Sequence, residues 1–163
     1  MWDFKFSSLI KLLFASFLMC ASTSYALEDN LQKAVEIAIH GGNFQAERLK
    51  IATENMANEH STSFQPGGDP YRRKVVFAKN NYNKRLKTNV LKVRKFDTDK
   101  SPFIMKYDPN HPAADLNGYV KLPNIHKEIE RADASEAQRS YEANLSIIEM
   151  SKAMMQKTIE VIK

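Results

Sequence analysis

"NIHKEIERADASEAQRSYEANLSIIEMSKAMMQKTIEVIK", residues 124–163, is the stretch on which the fold turns. No glycine or proline interrupts the 39 residues that follow Asn124. Apolar or small residues return at Ala134, Tyr141, Leu145, Ile148, Met155, Ile159 and Ile162, with Gln138 and Lys152 as polar members of the same series. The spacing alternates four and three, which is a heptad seam on an α-helix. Asn124 is of the type that caps a helix start. At ~1.5 Å rise per residue the helix would reach about 60 Å, longer than a small domain needs. A narrow seam on so long a helix predicts packing along other helices, either as an antiparallel pair within the chain or as a bundle between chains.

Residues 28–57 carry the same pattern. Leu31, Val35, Ala38, Gly42, Leu49, Ala52 and Met56 alternate by four and three, with Gln45 as the polar exception. Ala34, Ile39 and Ala46 widen the stripe. The Gly41-Gly42 pair weakens a helix by ~1 kcal/mol per glycine relative to alanine, so a kink or break would fall there.

Between the two helical patterns the periodicity changes. "RRKVVFAK" (72–79), "NVLKVRKF" (89–96) and "PFIMKY" (102–107) are short, β-branched and partly alternating, which predicts a hairpin or a three-stranded sheet. "STSFQPGGDP" (61–70) leads into it as a linker whose Pro66, Gly67, Gly68 and Pro70 exclude helix. After it comes "KYDPNHPAADLNGYVKLPNI" (106–125), a loop held by Pro109, Pro112 and Pro123, with the turn pair Asn117-Gly118 and with Tyr107, Tyr119, Val120 and Leu122 to pack it. Each proline fixes its own φ and biases its predecessor to extended geometry. Such a segment loses little entropy on ordering, which suits a contact surface of constant shape.

The chain has 163 residues and a net charge of +5, and its charge is unevenly spread. From Tyr71 to Lys106 there are 12 Lys or Arg against Asp97 and Asp99 alone, while the helical segments on either side are slightly acidic. Residues 1–26 read as a targeting segment. Lys5 and Lys11 precede a short apolar run from Leu12 to Ala21, and Ser24 and Ala26 stand where a signal peptidase takes small residues. Either this is a cleaved signal, or it is an uncleaved export or anchor segment that would supply the chain's only membrane contact. Its apolar run is shorter than the ~20 residues needed to span a bilayer. Removing Asp3, Lys5 and Lys11 with it leaves 22 basic against 18 acidic residues, and removing Cys20 leaves no thiol chemistry.

No constellation for catalysis emerges. His40, His60, His111 and His126 have no metal-ligand spacing. Asp97 and Asp99 start like a calcium loop, but Pro102 and Asp108 stand where that loop needs Gly and Glu. There is no nucleophile motif and no Gly-rich phosphate loop. The residues predict a non-enzyme without cofactor or metal. The basic middle, with Arg72, Arg73, Lys92 and Arg94 among its cations, fits anionic envelope material or acidic faces of neighbouring subunits; an export signal argues against nucleic acid. The bland alternative is a solvated basic surface.

Four segments resemble the axial family of flagellar rod and hook proteins, and within it the proximal-rod branch. "TENMANEHSTSF" is similar to the segment that ends the N-terminal helix of that family, carried here by Asn55, Ala57 and Asn58. "DPYRRKVVF" resembles the strand that follows, with Tyr71 and Arg72. "YDPNHPAADLNGYVKLPNI" resembles the proximal-rod signature loop through Tyr107, Pro109, Asn110, His111, Pro112, Asp115, Gly118, Tyr119, Pro123 and Asn124. "ASEAQRSYEANLSIIEMSKAMMQKTIEVI" resembles the C-terminal helix, with Arg139, Tyr141, Asn144, Met154 and Lys157 on the pattern. The helix start "EIERADASEA" is more charged than that pattern.

The resemblance implies a mainly α protein with a small β-rich insertion, its long N- and C-terminal helices forming a coiled-coil-like inner domain. Behind the targeting segment 1–26, which departs from the resemblance because rod proteins usually leave through the flagellar type III apparatus without such a signal, it implies 27–60 (N-terminal axial helix), 61–123 (linker, basic insertion and signature loop) and 124–163 (C-terminal axial helix). It also implies a structural subunit of a flagellar basal-body rod, periplasmic, whose partners are copies of itself and other rod proteins. Leu31, Val35, Leu49, Met56, Tyr141, Leu145, Ile148, Met155, Ile159 and Ile162 are then the expected subunit-interface residues, with Gln138 and Lys152 setting register. The terminal helices of such proteins fold on assembly.

Overall fold

A computed structural model describes the backbone of residues 3–162 and the side chains of residues 29–160. The expected export segment, 1–26, and the side chain of Ile162 lie outside the described side chains. Two helices, α1 (Asp3–Ala57) and α2 (Lys127–Ile162), enclose four strands in sequence: β1 (Lys74–Asn83), β2 (Thr88–Thr98), β3 (Ile104–Tyr107) and β4 (Tyr119–Leu122). The fold is mainly α with a small antiparallel β insertion. Among the described residues no helix is long and apolar enough to cross a membrane.

The chain divides into two compact units, one of residues 37–146 and one of residues 1–36 with 147–163. In the larger unit α1 and α2 run antiparallel, because Gly42 faces Tyr141, Arg48 meets Asp133 and Asn55 meets Glu130. Ala38, Gly42, Ala52, Ala134 and Ala137 are buried along this contact. The glycine pair does not break the helix, which continues through it. It allows close approach instead: a Cβ on Gly41 would stand 2.7 Å from Oδ1 of Asn144. The cost in helix propensity is offset by backbone proximity to α2.

On α2 the buried series is Glu130, Ala134, Ala137, with Tyr141 and Asn144 half-buried. It runs by four and three, but its members at 137 and 144 replace the expected Gln138 and Leu145, which are exposed. Gln138 therefore sets no register within the chain; it donates to Glu142 one turn on. Small side chains occupy the tight contact because large ones would hold the helices apart. In the smaller unit the same offset recurs: Ser151 is buried and Lys152 exposed, between the half-buried Ile148 and Met155.

β1 and β2 form a hairpin whose register jumps between Phe77↔Lys95 and Ala78↔Val93, leaving Arg94 as the bulged residue. Leu91 and Val93 line a cleft with His40 and Phe44, so the hairpin lies against a second face of α1, where Phe44 and Ile51 are buried. "PFIMKY" does supply a strand, but it joins no three-stranded sheet. β3 pairs with β4 (Ile104↔Leu122 to Tyr107↔Tyr119) in a ribbon of its own. Two parts of the expected loop, Lys106-Tyr107 and Tyr119–Leu122, are thus strand.

The connection from β3 to β4 is a series of turns. His111 N–H donates to Asp108 C=O (3.2 Å), Ala114 N–H to His111 C=O (2.9 Å) and Gly118 N–H to Asp115 C=O (3.0 Å). Pro109 and Pro112 each occupy the second position of a turn, where their fixed φ is required. Asp115 Oδ1 accepts from the N–H groups of Asn117 and Tyr119. Gly118 has φ +80°, and a Cβ there would meet Tyr107 Cε2 at 3.0 Å, so only glycine closes this turn.

Candidate assembly site

The most ordered chemistry of the larger unit is a polar clamp centred on Asn55, at the last turn of α1, which is 0% exposed. Its amide uses both donors and both lone pairs. Nδ2 donates to Lys74 C=O (2.9 Å) and to Glu130 Oε2 (2.9 Å); Oδ1 accepts from Lys74 N–H (2.9 Å) and Tyr71 O–H (3.0 Å). One side chain therefore ties the end of α1 to the start of β1 and the first turns of α2.

Glu130, 1% exposed, is held from its other side by Arg73, whose Nε donates to Oε1 at 2.6 Å. The Arg73 guanidinium also stands 3.8 Å from Asp99 and 3.9 Å from Asp133. Asp133 in turn accepts from Arg48 of α1 at 3.1 Å, and Lys74 pairs with Glu54. A buried carboxylate is tolerated only when its charge and lone pairs are met, and removing one partner typically costs roughly 3–5 kcal/mol. The unusual charge of "EIERADASEA" is thereby explained: Glu130, Asp133 and Glu136, the last 3.5 Å from Arg48, are the α2 side of the clamp.

Asn124 was expected to cap α2, but the helix begins at Lys127 and Asn124 works elsewhere. Its Oδ1 accepts from Arg73 N–H (3.0 Å), and its Nδ2 donates to Asp99 C=O (3.2 Å) and Ser101 Oγ (2.7 Å). The side chain acts as a long-range anchor and not as a local cap, tying the segment before β1 to the β2–β3 connection. Arg72 braces the same connection, donating to the carbonyls of Asp99 and Ser101 while its guanidinium stacks 4.0 Å over the Phe103 ring.

Electrostatics follow from this packing. Burial, with the carboxylates of Glu54 and Glu130 adding, pushes the Tyr71 phenol up to about 12. The N–H of Ser101 holds the Asp99 carboxyl below its usual range despite some burial, and Arg73 and Arg72 help. None of these groups faces a reacting partner. Among the described residues no cluster of three or more His, Cys, Asp or Glu could hold a metal ion.

No family model matches the sequence. Individual proteins do. The chain is 44% identical over 135 residues to the flagellar basal-body rod protein FlgC of Agrobacterium fabrum, covering 83% of this chain and 97% of that protein. The chain belongs to the FlgC family. It is also 34% identical to FlgC of Borreliella burgdorferi, over 82% of this chain and 98% of that one. With FlgC of Salmonella typhimurium it shares 37% identity over 71% of this chain and 85% of the relative.

The residues expected from the resemblance to carry the family pattern fall in several parts of the larger unit. Asn55, Tyr71, Arg72 and Asn124 are brought together in the clamp. Asn58 closes α1, its Nδ2 donating back to Glu54 C=O (2.8 Å). Tyr107, Pro109, Asn110, His111, Pro112, Asp115, Gly118 and Tyr119 shape the β3–β4 turns; the Tyr107 and Tyr119 rings meet edge to face at 5.3 Å. Pro123 is buried at the far end of β4. On α2, Tyr141 and Asn144 lie against the glycine pair, and Arg139 points outward to Ser135.

The expected interface residues divide differently. Leu31, Val35, Leu49, Met56, Tyr141, Ile148 and Met155 are half-buried, and Leu145 and Ile159 are exposed. Sequence reasoning missed Glu130, which lies one step of four before Ala134 on the heptad. It also missed a second stripe in the smaller unit. Ile147, Met150 and Met154, spaced three and four, are all exposed.

Proposed function

We propose that this FlgC-family chain is a non-catalytic structural subunit of the bacterial flagellar basal-body rod, periplasmic, self-associating and in contact with other rod proteins. Membership of the FlgC family across nearly the full length of its relatives carries the reading. In it, segments 27–60 and 124–163 are the axial helices and 61–123 the insertion. The clamp holds the two helices and the hairpin as a unit able to transmit torque in the proximal rod. Leu31, Val35, Leu145, Ile148, Met155, Ile159 and Ile162, with Ile147, Met150 and Met154, are completed by helices of neighbouring subunits. Each large side chain buried there contributes ~1.5–3 kcal/mol, which offsets the ordering of the helix ends only when a neighbour supplies the other wall.

The test is co-purification with isolated basal bodies and rescue of rod formation in cells lacking the chain. Ile159→Asp is expected to abolish rescue; intact rods from that variant would sink the assignment of the interface. Sequencing the N-terminus of the exported protein decides whether residues 1–26 are removed.

One observation favours a second contact, to anionic envelope material. Lys79 and Lys92 are exposed, stand directly opposite each other on the hairpin, and are followed by the bulged, exposed Arg94. Like charges in that register repel unless an anion lies across them. Replacing Lys79, Lys92 and Arg94 by Gln is expected to abolish salt-sensitive retention by isolated cell-wall material with helix content unchanged.

A further inference from the structure

Phe64 and Leu116 are two fully exposed large apolar side chains on adjoining loops. The loops are not slack. Gly67 N–H donates to Ala113 C=O (3.1 Å), a Cβ on Gly67 would touch Asp115, and Gly68 N–H donates to Gln65 C=O (3.0 Å). Ser63 Oγ accepts from Gln65 N–H, and Asp115 fixes the turn that carries Leu116. The two side chains are thus held out on a preorganised knob, which loses little entropy on docking.

The β3–β4 ribbon carries this knob at its turn end. At its other end, where Ile104 pairs with Leu122, lies a cleft of about 360 Å³ with apolar walls from Pro102, Ile104 and Ile129 over a polar floor of Arg73 and Asn124. Ile104 and Ile129 are themselves exposed. Roughly 10 Å of ribbon separates knob from cleft, at ~3.3 Å per residue, so a chain cannot fill its own cleft.

We infer that Phe64 and Leu116 of one copy seat in the Pro102–Ile104–Ile129 cleft of the next, a head-to-tail contact between copies of this chain. It rests on the self-associating rod reading and names the contact that reading leaves open. Two different patches that complement each other give a heterologous interface, the kind that builds rings and open helices and not closed pairs. Area fixes its rank. Two such side chains bury a few hundred Å², well under the ~1,200 Å² of a stable pairwise interface, so the contact acts only alongside the helical ones and forms no isolated dimer.

The test uses the full chain with Cys20→Ser, in cells that build rods. One tagged copy carries Leu116→Cys and a second, differently tagged, carries Ile129→Cys. Oxidation of isolated basal bodies is expected to give a mixed-tag dimer that neither variant gives alone. Both cysteines in one chain should give a ladder of multimers. Phe64→Glu and Leu116→Glu, at fully exposed positions, should leave the melting temperature unchanged and lower incorporation roughly tenfold or more each. A disulfide closed within one chain, a product with a protein of another size, or no product although both copies sit in basal bodies overturns the contact; the last leaves the rod reading standing. Absence of the chain from basal bodies overturns the rod reading, and the contact with it.

Discussion

Around Asn55 every hydrogen-bonding position of the amide is filled by the chain's own groups, and the neighbouring carboxylate of Glu130 is met by Arg73 and buried. Along Ile147, Met150 and Met154, by contrast, three large apolar side chains repeat at helical spacing and face water. Both regions are built on heptads, so periodicity does not distinguish them. The difference lies in completion. The first region is finished within one molecule, while the second leaves its large apolar side chains exposed. A protein that works by assembly needs both: a rigid part that keeps its shape, and a surface whose burial is deferred.

That contrast can be broken most sharply at the stripe. Ile147→Asp with Met154→Asp is expected to abolish incorporation into rods while shifting the folding free energy of the free chain by no more than ~0.5 kcal/mol. Equal loss of both in a melting and an incorporation assay would erase the distinction. Next in size is Glu130→Ala, which leaves Arg73 and Asn55 without their shared partner and should cost roughly 3–5 kcal/mol in urea titration. Gly118→Ala forces a side chain into the left-handed region against Tyr107; a loss of about 1–3 kcal/mol is expected.

Alkali tests the clamp through Tyr71. The folded phenol titrates at about 12 against an ordinary value of 10.0. As pH rises from 10 the unfolded chain ionises first, so stability falls until the folded group also ionises near 12, and is unaffected below 10. Tyr71→Phe should flatten that part of the pH profile of the melting temperature. The smallest effect belongs to Gly42→Ala. An added Cβ meets Tyr141 and Asn144 at 3.7 Å, ordinary contact, so the gain in helix propensity, up to ~1 kcal/mol, should appear as a slightly raised melting temperature.

Much of this architecture was legible from residues alone. The heptads of 28–57 and 124–163, the hairpin strands and the proline-set turns all declare themselves locally, because each depends on neighbours within a few positions. The misreadings share a cause. Asn124 looked like a cap because capping is local, yet its partners lie 23 to 51 residues away in sequence. β4 looked like loop because four residues carry little periodicity until β3 pairs with them. The face that α2 buries within the chain falls one residue before the seam positions 138, 145 and 152, since periodicity follows bulk whereas the close helix pair of the larger unit selects the small side chain at 137 and the Gly41-Gly42 pair opposite Asn144 and Tyr141. Glu130 stayed hidden because a carboxylate reads as surface until its arginine is found.

Amide hydrogen exchange on the full-length chain, free and within isolated rods, measures completion region by region. Protection at Asn55, Lys74 and Glu130 should be high and similar in both states, whereas protection across residues 147–160 should rise by orders of magnitude on assembly. Slow exchange throughout 147–160 in the free chain, unchanged in the rod, would contradict the account.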